Sequence, residues 1–324
     1  MCVTLSFKGK KEVIKILITG VAGFIGSNLA EYLLQKGHEI SGIDNFAFGL
    51  IEQIPDKVKF YQEDICSKSI YPLFEGVDIV VHLAAKNCIS DCQDDPVETA
   101  GINIIGTINV FEAARRAGVK KVIYAESSAL YEGSSVFPTP ETHINPQSFY
   151  AVSKASTAYF AEAYRRYYGL YTTAIRYFNV YGPRQDYRRT IPPLISAFII
   201  AMLQGQRPVI HGDGSKKRDF VHVDDVNEFH LIAMEDNRTD GVTYNLGSGK
   251  NYSVLDIYHE LESILDTGLE PTFKADLTGE AQENLADISK AKKLGWRPKT
   301  GLRQGLLNTI EYIQEDVLPT LVEV

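Results

Sequence analysis

Cysteine is scarce in this chain. Its four residues, Cys2, Cys66, Cys88 and Cys92 among 324, are too few for a scaffold built on disulfides. Cys88 and Cys92 have three residues between them and no second ligand pair, so their spacing speaks against a metal site, and reduced thiols in a cytosolic protein are expected. Long apolar runs are also missing. No window reaches the roughly 18 unbroken apolar residues of a membrane-spanning helix. The opening stretch MCVTLSFKGKKEV places its lysines after a short apolar run, the reverse of a secretory signal. The expected location is therefore the cytoplasm, with no membrane partner. A positive excess is absent as well: the formal net charge is −8, which excludes a general binder of nucleic acid or of acidic membranes. There is no internal repeat and no low-complexity tract. What is present is the composition of an ordinary globular protein, 44% hydrophobic and 23% charged, long enough for one large or two modest domains.

The first half alternates between two hydrophobic rhythms. Residues 14–19, IKILIT, are a continuous apolar run suited to a strand buried on both faces. Residues 24–36 have helical spacing and end at Gly37, a suitable C-cap. Strand patterns follow at 38–44, 58–64, 78–84 and 120–126, with helical patterns at 96–117 and 149–168. Such alternation predicts an α/β protein with a doubly wound parallel sheet. After 172–182 the rhythm breaks at Pro183, Pro192, Pro193 and Pro208 and at HGDGSKK. A late strand at 242–246 and a helix at 253–265 follow. The expected division is a nucleotide-binding domain over residues 1–180, with chain returning to it at about 220–250, and a smaller domain over 181–324.

Gly20-Val-Ala-Gly23-Phe-Ile-Gly26 follows the first strand and opens directly into a helix. Glycines in that context allow a tight turn and close approach of backbone to a pyrophosphate, whose charge the helix N-terminus attracts. Eighteen residues after Gly26, Asp44 ends the second strand, where a carboxylate can accept a ribose 2′-hydroxyl. The same carboxylate repels a 2′-phosphate, and Asn45-Phe46 offers no arginine in compensation, so NAD is preferred to NADP.

Tyr150 and Lys154 lie one turn apart on the helix predicted at 149–168, and positions four apart share a face. Alone, the pair fits ordinary packing of a tyrosine beside a snorkelling lysine. Ser127, at the end of a strand, is by itself accounted for by backbone capping.

Taken together, Gly20/Gly23/Gly26, Asp44, Asp64 in QEDI, VVHLAA (80–85), NIIGTINVFEAA (103–114), ESSALY (126–131), Tyr150/Lys154, RYFNVYGPRQ (176–185), GDGSKKRDFVHVDD (212–225) and ADISKAKKLGW (286–296) resemble the extended short-chain dehydrogenase/reductase superfamily, and within it the NAD-dependent nucleotide-sugar epimerases. The resemblance covers nearly the whole chain. It implies a Rossmann-type sheet with a smaller C-terminal substrate-binding α/β domain. It also implies NAD contacts from Gly20, Gly23, Phe24, Ile25, Gly26, Asp44 and Asn45, from Asp64 and Ile65 at the adenine, from Leu83, Ala84 and Ala85, and from Tyr150, Lys154 and Tyr177. Tyr150 takes the proton of a sugar hydroxyl as its carbon gives hydride to the nicotinamide, with Lys154 and the nicotinamide charge lowering the phenol's pKa. Lys154 also holds the nicotinamide ribose, and Ser127, with Ser128 beside it, bridges the substrate oxygen to Tyr150. Asn179 and Arg218 hold the diphosphate of a UDP-sugar, a guanidinium being suited to phosphate.

Three positions depart from the family pattern. Glu126 and Glu132 stand where small residues are usual, so a carboxylate beside Ser127 either disturbs the proton path or points into solvent. An arginine is expected ten residues before Asp287, but that position is Leu277, leaving Lys274, Arg184, Arg188 or Arg189 as replacements. Three residues before Asp287 is Asn284, at the position that borders the sugar's C2 substituent in the family; a tyrosine there restricts the pocket, and a smaller residue admits an N-acetyl group.

The expected activity is 4-epimerisation of a UDP-hexose through a transient ketone, with UDP-N-acetylglucosamine and UDP-N-acetylgalactosamine favoured over UDP-glucose. A 4,6-dehydratase needs an Asp-Glu pair after the catalytic hydroxyl, where this chain has Ser128-Ala129. Decarboxylation of a UDP-uronate reuses the same residues, and a non-catalytic NAD-binding protein has no need of Ser127, Tyr150 and Lys154 together. Phe111, Tyr159, Phe160, Tyr164 and Tyr168 spread wider over their helices than one buried face requires; the resemblance implies a homodimer through a four-helix bundle.

Overall fold

The computed structural model describes residues 13–189, 191–276 and 281–322; Cys2 and the Leu277 position lie outside them. The first strand, β1 (Lys15–Thr19), is buried at every position after Lys15, as a strand covered on both faces must be. It leads through the glycine turn to α1 (Phe24–Gln35), then β2 (Glu39–Asp44), β3 (Lys59–Gln62) and β4 (Ile79–His82). Two short helices follow, α2 (Ile89–Asp94) and α3 (Pro96–Ala100), then α4 (Thr107–Ala117), β5 (Lys121–Ser127), α5 (Phe149–Tyr168) and β6 (Tyr171–Tyr177).

The helical pattern expected over 96–117 is not one regular helix. Between α3 and α4, residues Gly101–Gly106 widen into a π-turn. Its Asn103 is turned inward, where the side-chain amide accepts from Lys86 N–H at 2.8 Å and donates to Lys86 C=O at 2.9 Å and to Ser153 Oγ at 3.0 Å. A π-bulge of this kind is a common way to aim a side chain at a functional site.

Seven parallel strands form the main sheet in the order β10-β6-β5-β4-β1-β2-β3, where β10 is Val242–Leu246. The strand order reverses between β1 and β4, and the crevice outside the carboxyl ends at such a point is where ligands bind. The run expected over 172–182 divides at Phe178: β6 stays in the main sheet, and β7 (Asn179–Tyr181) joins another. There, β9 (Lys217–His222) pairs with β7 in parallel and with β11 (Asn251–Ser253) in antiparallel, while β8 (Val209–His211) pairs with β12 (Thr272–Lys274).

After β9 the chain returns to the main sheet. Helix α7 (Val223–Glu235) buries Val226, Phe229 and Ala233 in the same core as Leu29 and Leu33 of α1, and β10 then closes the sheet edge. On the opposite face α4 and α5 cover a second core containing Phe111, Val122 and Tyr124. The smaller half has its own core, in which α6 (Leu194–Leu203) and α8 (Val254–Leu265) contribute Phe198, Ile199, Ile257 and Leu261.

Candidate active site

A cleft of about 540 Å³ lies across the carboxyl ends of the main-sheet strands, with the smaller half as its other wall. Every residue expected from the sequence to hold the cofactor, carry the chemistry or bind the substrate borders it.

At one end is the glycine turn. Gly20 has φ +75°, and a Cβ there would lie 2.8 Å from Ala84 N; a Cβ on Gly26 would lie 2.1 Å from Gly20 O. Side chains are excluded at both positions, and the turn is left open for close approach by a ligand. Gly23 is the α1 N-cap and supplies no side-chain cap, so the helix presents its N-terminal amides to an anion. Asp44 is buried at the end of β2, accepting from Ala22 N at 3.0 Å and Phe46 N at 2.9 Å. Burial raises its pKa against the pull of those amides. Asp64 accepts from Cys66 N at 2.7 Å and from Asn45 Nδ2 at 3.0 Å; burial works against these bonds, but they hold the carboxyl below its ordinary value. These residues fit NAD: a turn lacking Cβ atoms at Gly20, Gly23 and Gly26 for the pyrophosphate and a fixed carboxylate for the adenosine ribose.

In the middle stand Ser127, Tyr150 and Lys154. Ser127 Oγ accepts from Ala129 N at 3.2 Å, so the capping role is real, and the same hydroxyl works to lower the pKa of the Tyr150 phenol. Helix α5 holds Tyr150 and Lys154 in place from a firmly anchored start. Ser148 Oγ accepts from Ala151 N at 3.1 Å, and Glu132 accepts from Gln147 N at 3.0 Å, Ser148 N at 2.8 Å and Ser148 Oγ at 2.9 Å.

Burial pushes the Tyr150 phenol up to about 12, and the groups pulling it down are the Ser127 hydroxyl and the Arg189 guanidinium. Lys154 instead donates from Nζ to Ala125 O at 3.2 Å, and burial pushes its ammonium down to about 8. Tyr177 contributes its ring to the wall, while its hydroxyl turns away to His230 Nε2 at 2.8 Å.

At the far end Asn179, Arg218 and Asn284 come together from three distant segments. Asn284 Oδ1 accepts from Asp219 N at 2.7 Å and from Asn179 Nδ2 at 3.2 Å, which leaves its own amide N–H groups as donors. Asp219, overlooked in the sequence, ties this end together. Its carboxylate accepts from Ser248 N and Oγ, Gly249 N and Ala286 N at 2.6–3.0 Å.

The departures at Glu126 and Glu132 resolve in an unforeseen way. Glu126 is buried and pairs with buried Arg176, and Glu132 accepts from the amides that open α5. Of the cations considered as replacements at the Leu277 position, Arg188 and Arg189 line the cleft. Arg184 is turned to Glu31 and Ser27 O, and Lys274 lies on β12, away from the cleft walls. Arg188 spans the opening, donating to Phe48 O on the opposite wall at 2.6 Å.

Comparison with known proteins agrees with this geometry. The model of the NAD dependent epimerase/dehydratase family matches residues 16–247. The UDP-glucose 4-epimerase of Mycolicibacterium smegmatis is 34% identical over 310 residues, covering 93% of this chain and 98% of that protein. The structure of the Thermotoga maritima UDP-glucose 4-epimerase with UDP-glucose is 37% identical, covers 93% of this chain and 99% of that one, and superposes with a TM-score of 0.90. The Methanobrevibacter ruminantium UDP-N-acetylglucosamine 4-epimerase, in complex with UDP-N-acetylmuramic acid, is 28% identical, covers 95% and 100%, and gives 0.91.

Proposed function

This chain belongs to the NAD dependent epimerase/dehydratase family, and from that premise we propose that it inverts C4 of UDP-hexoses and accepts the N-acetylglucosamine/N-acetylgalactosamine pair. The observation that carries the proposal is the cleft's three-part order: a cofactor end at Gly20–Gly26 and Asp44, Ser127, Tyr150 and Lys154 in the middle, and a polar end at Asn179, Arg218 and Asn284.

Bound NAD supplies a hydride acceptor that returns what it takes, so the sugar undergoes no net oxidation. Tyr150 receives the proton of the sugar's 4-hydroxyl and returns it to the same oxygen once the ketone has turned over and its opposite face has taken the hydride back, with Ser127 bridging the substrate oxygen to the phenol. General acid–base catalysis of this kind contributes about 10²–10⁴-fold. A phenol pushed up by burial needs positive charge to act as a base near neutrality, and Arg189, Lys154 and the cationic nicotinamide are the sources available. Arg218 and Asn179 hold the diphosphate, and the cleft-lining Arg188 and Arg189 stand where a second cation can reach it.

Asn284 supports acceptance of the acetamido group, being small and having free amide donors beside Asn179. Ser128-Ala129 after Ser127 supplies no acid–base pair for dehydration. A second copy of this chain is the proposed partner: Phe149, Val152, Tyr159 and Tyr167 form an exposed stripe along α5, with Tyr159 80% exposed, beside Val97 and Ile105 of the neighbouring segments. Light scattering should give twice the chain mass. For the activity itself, purified protein without added NAD is incubated separately with UDP-glucose, UDP-N-acetylglucosamine and UDP-glucuronate. Epimers from the first two are expected, and conversion of the glucuronate alone would refute the substrate assignment.

A further inference from the structure

Two loops meet over the cofactor end of the cleft, and both contribute to its lining. One, residues 45–50, follows Asp44 and lies on the glycine turn: Leu50 N donates to Ala22 O at 3.0 Å, and a Cβ on Gly49 would stand 2.6 Å from the Ala22 Cβ. The other, residues 183–189, follows β7 and is fastened at its base to α1. Asn28 Nδ2 donates to Pro183 O at 3.0 Å, and Arg184 donates from Nη1 to Ser27 O at 3.2 Å and from Nη2 to Glu31 Oε2 at 2.5 Å.

Near the start of each loop is a left-handed residue that is not glycine. Phe46 has φ +60° and Arg184 φ +68°, and among the described residues Asp266 is the one other case. Residues in this conformation persist where their surroundings hold them, and they gather at clamps and switches. Here the holds are Asp44 Oδ1, which accepts from Phe46 N at 2.9 Å, and the bonds from Arg184 to α1.

A single bond joins the loops at their tips. Arg188 Nη2 donates to Phe48 O at 2.6 Å, while Asp186 Oδ1 accepts from Arg188 N at 3.1 Å and Nε at 3.3 Å and so aims the guanidinium. The Arg188 side chain is 41% exposed, and an ion pair so open to water adds little to stability. Its place is what counts: it completes a bridge of chain from the loop on the glycine turn to the loop facing it.

We propose that the Arg188–Phe48 bond is a strap over the bound dinucleotide, which slows the passage of NAD into and out of the cleft without changing how tightly NAD is held. The second half follows from the partners. Both are groups of the protein, so parting them raises the barrier to entry and exit alike, whereas a binding equilibrium moves only through differential contact with the ligand. A slow exit protects the reaction between its two hydride transfers, when loss of the reduced cofactor would strand the sugar as a ketone. The inference rests on the NAD site of the reading above and not on the choice of sugar.

The test is exchange of the bound NAD for an excess of isotope-labelled NAD, with no sugar present. Arg188→Met keeps the stem and removes the tie. Arg189→Met removes the same charge from the same loop, since Arg189 Nε donates to Asp186 Oδ2 at 3.2 Å within that loop. Loss of a hydrogen bond from a charged donor should speed exchange about tenfold or more in Arg188→Met, while the affinity, from titration of NAD into protein stripped of it, stays within about threefold. Arg189→Met should exchange within about threefold of the unmodified protein. An unchanged exchange rate in Arg188→Met would overturn the proposal. So would equal acceleration in both variants, or a loss of affinity as large as the gain in rate, because either result shows attraction of charge to the pyrophosphate in place of a strap. A protein whose NAD exchange responds as expected but which epimerises no UDP-sugar would contradict the function and leave this inference standing.

Discussion

The two ends of the cleft are built on different principles. The cofactor end is made of backbone: a turn that excludes side chains, a helix N-terminus, and a carboxylate held by amides 22 and 2 residues away. The sugar end is made of side chains from separate loops, with Asn179 and Asn284 105 residues apart and Asp219 gathering segments 29 to 67 residues downstream. The first arrangement follows from the strand–turn–helix unit itself and suits one ligand. The second can exchange residues, and hence sugars, without disturbing the main sheet.

The largest effect is expected at the seam between the ends. Tyr150→Phe keeps the ring and its packing but removes the proton acceptor, so turnover should fall about 10²–10⁴-fold while the NAD content of the purified protein stays the same. Near-normal turnover would remove Tyr150 from the chemistry. At the cofactor end, Gly26→Ala places a methyl 2.1 Å from Gly20 O, which forces the turn to shift. Purified protein should lose most of its NAD, measured by absorbance after denaturation, and full retention would show that the turn does not hold the pyrophosphate.

Asp44→Ala acts less severely. It removes the acceptor for the ribose 2′-hydroxyl and the charge that repels a 2′-phosphate, so NAD should bind about tenfold more weakly, a loss of about 1.4 kcal/mol, and the preference over NADP should narrow in a titration. Unchanged preference would mean that Asp44 is not the discriminating group. The smallest and most selective effect is expected at the sugar end. Asn284→Tyr should reduce turnover of UDP-N-acetylglucosamine about tenfold more than that of UDP-glucose, comparable to the discrimination available from one steric contact, with NAD content unaffected. Equal losses for both sugars would show that this position does not gate the C2 substituent.

The same contrast explains what was legible in the sequence. The run at β1, the glycines and Asp44 are local signals, because parallel strands buried on both faces must be continuously apolar and a pyrophosphate-binding turn must lack Cβ atoms. Tyr150 and Lys154 were legible because helical periodicity alone sets one turn above the other. Long-range partners were not. No periodicity tells that Glu126 meets Arg176 fifty residues later, or that Arg188 reaches Phe48 across 140 residues; strand order and loop docking decide both. Glu132 read as an intrusion because its partners, the amides opening α5, are 15 and 16 residues away and carry no side-chain signal. The π-turn at Gly101–Gly106 escaped detection for a related reason: its apolar pattern is helical, and the extra residue shows only through the inward Asn103.

The central claim is that one carbon is oxidised and re-reduced in the cleft by the same hydride, while Tyr150 carries the proton. The most direct measurement is incubation of the purified protein with UDP-glucose bearing deuterium at C4, without added NAD, followed by NMR of the UDP-galactose formed. Full retention of deuterium at C4 is predicted, because the hydride never leaves the site. Product with protium at C4 would contradict the account.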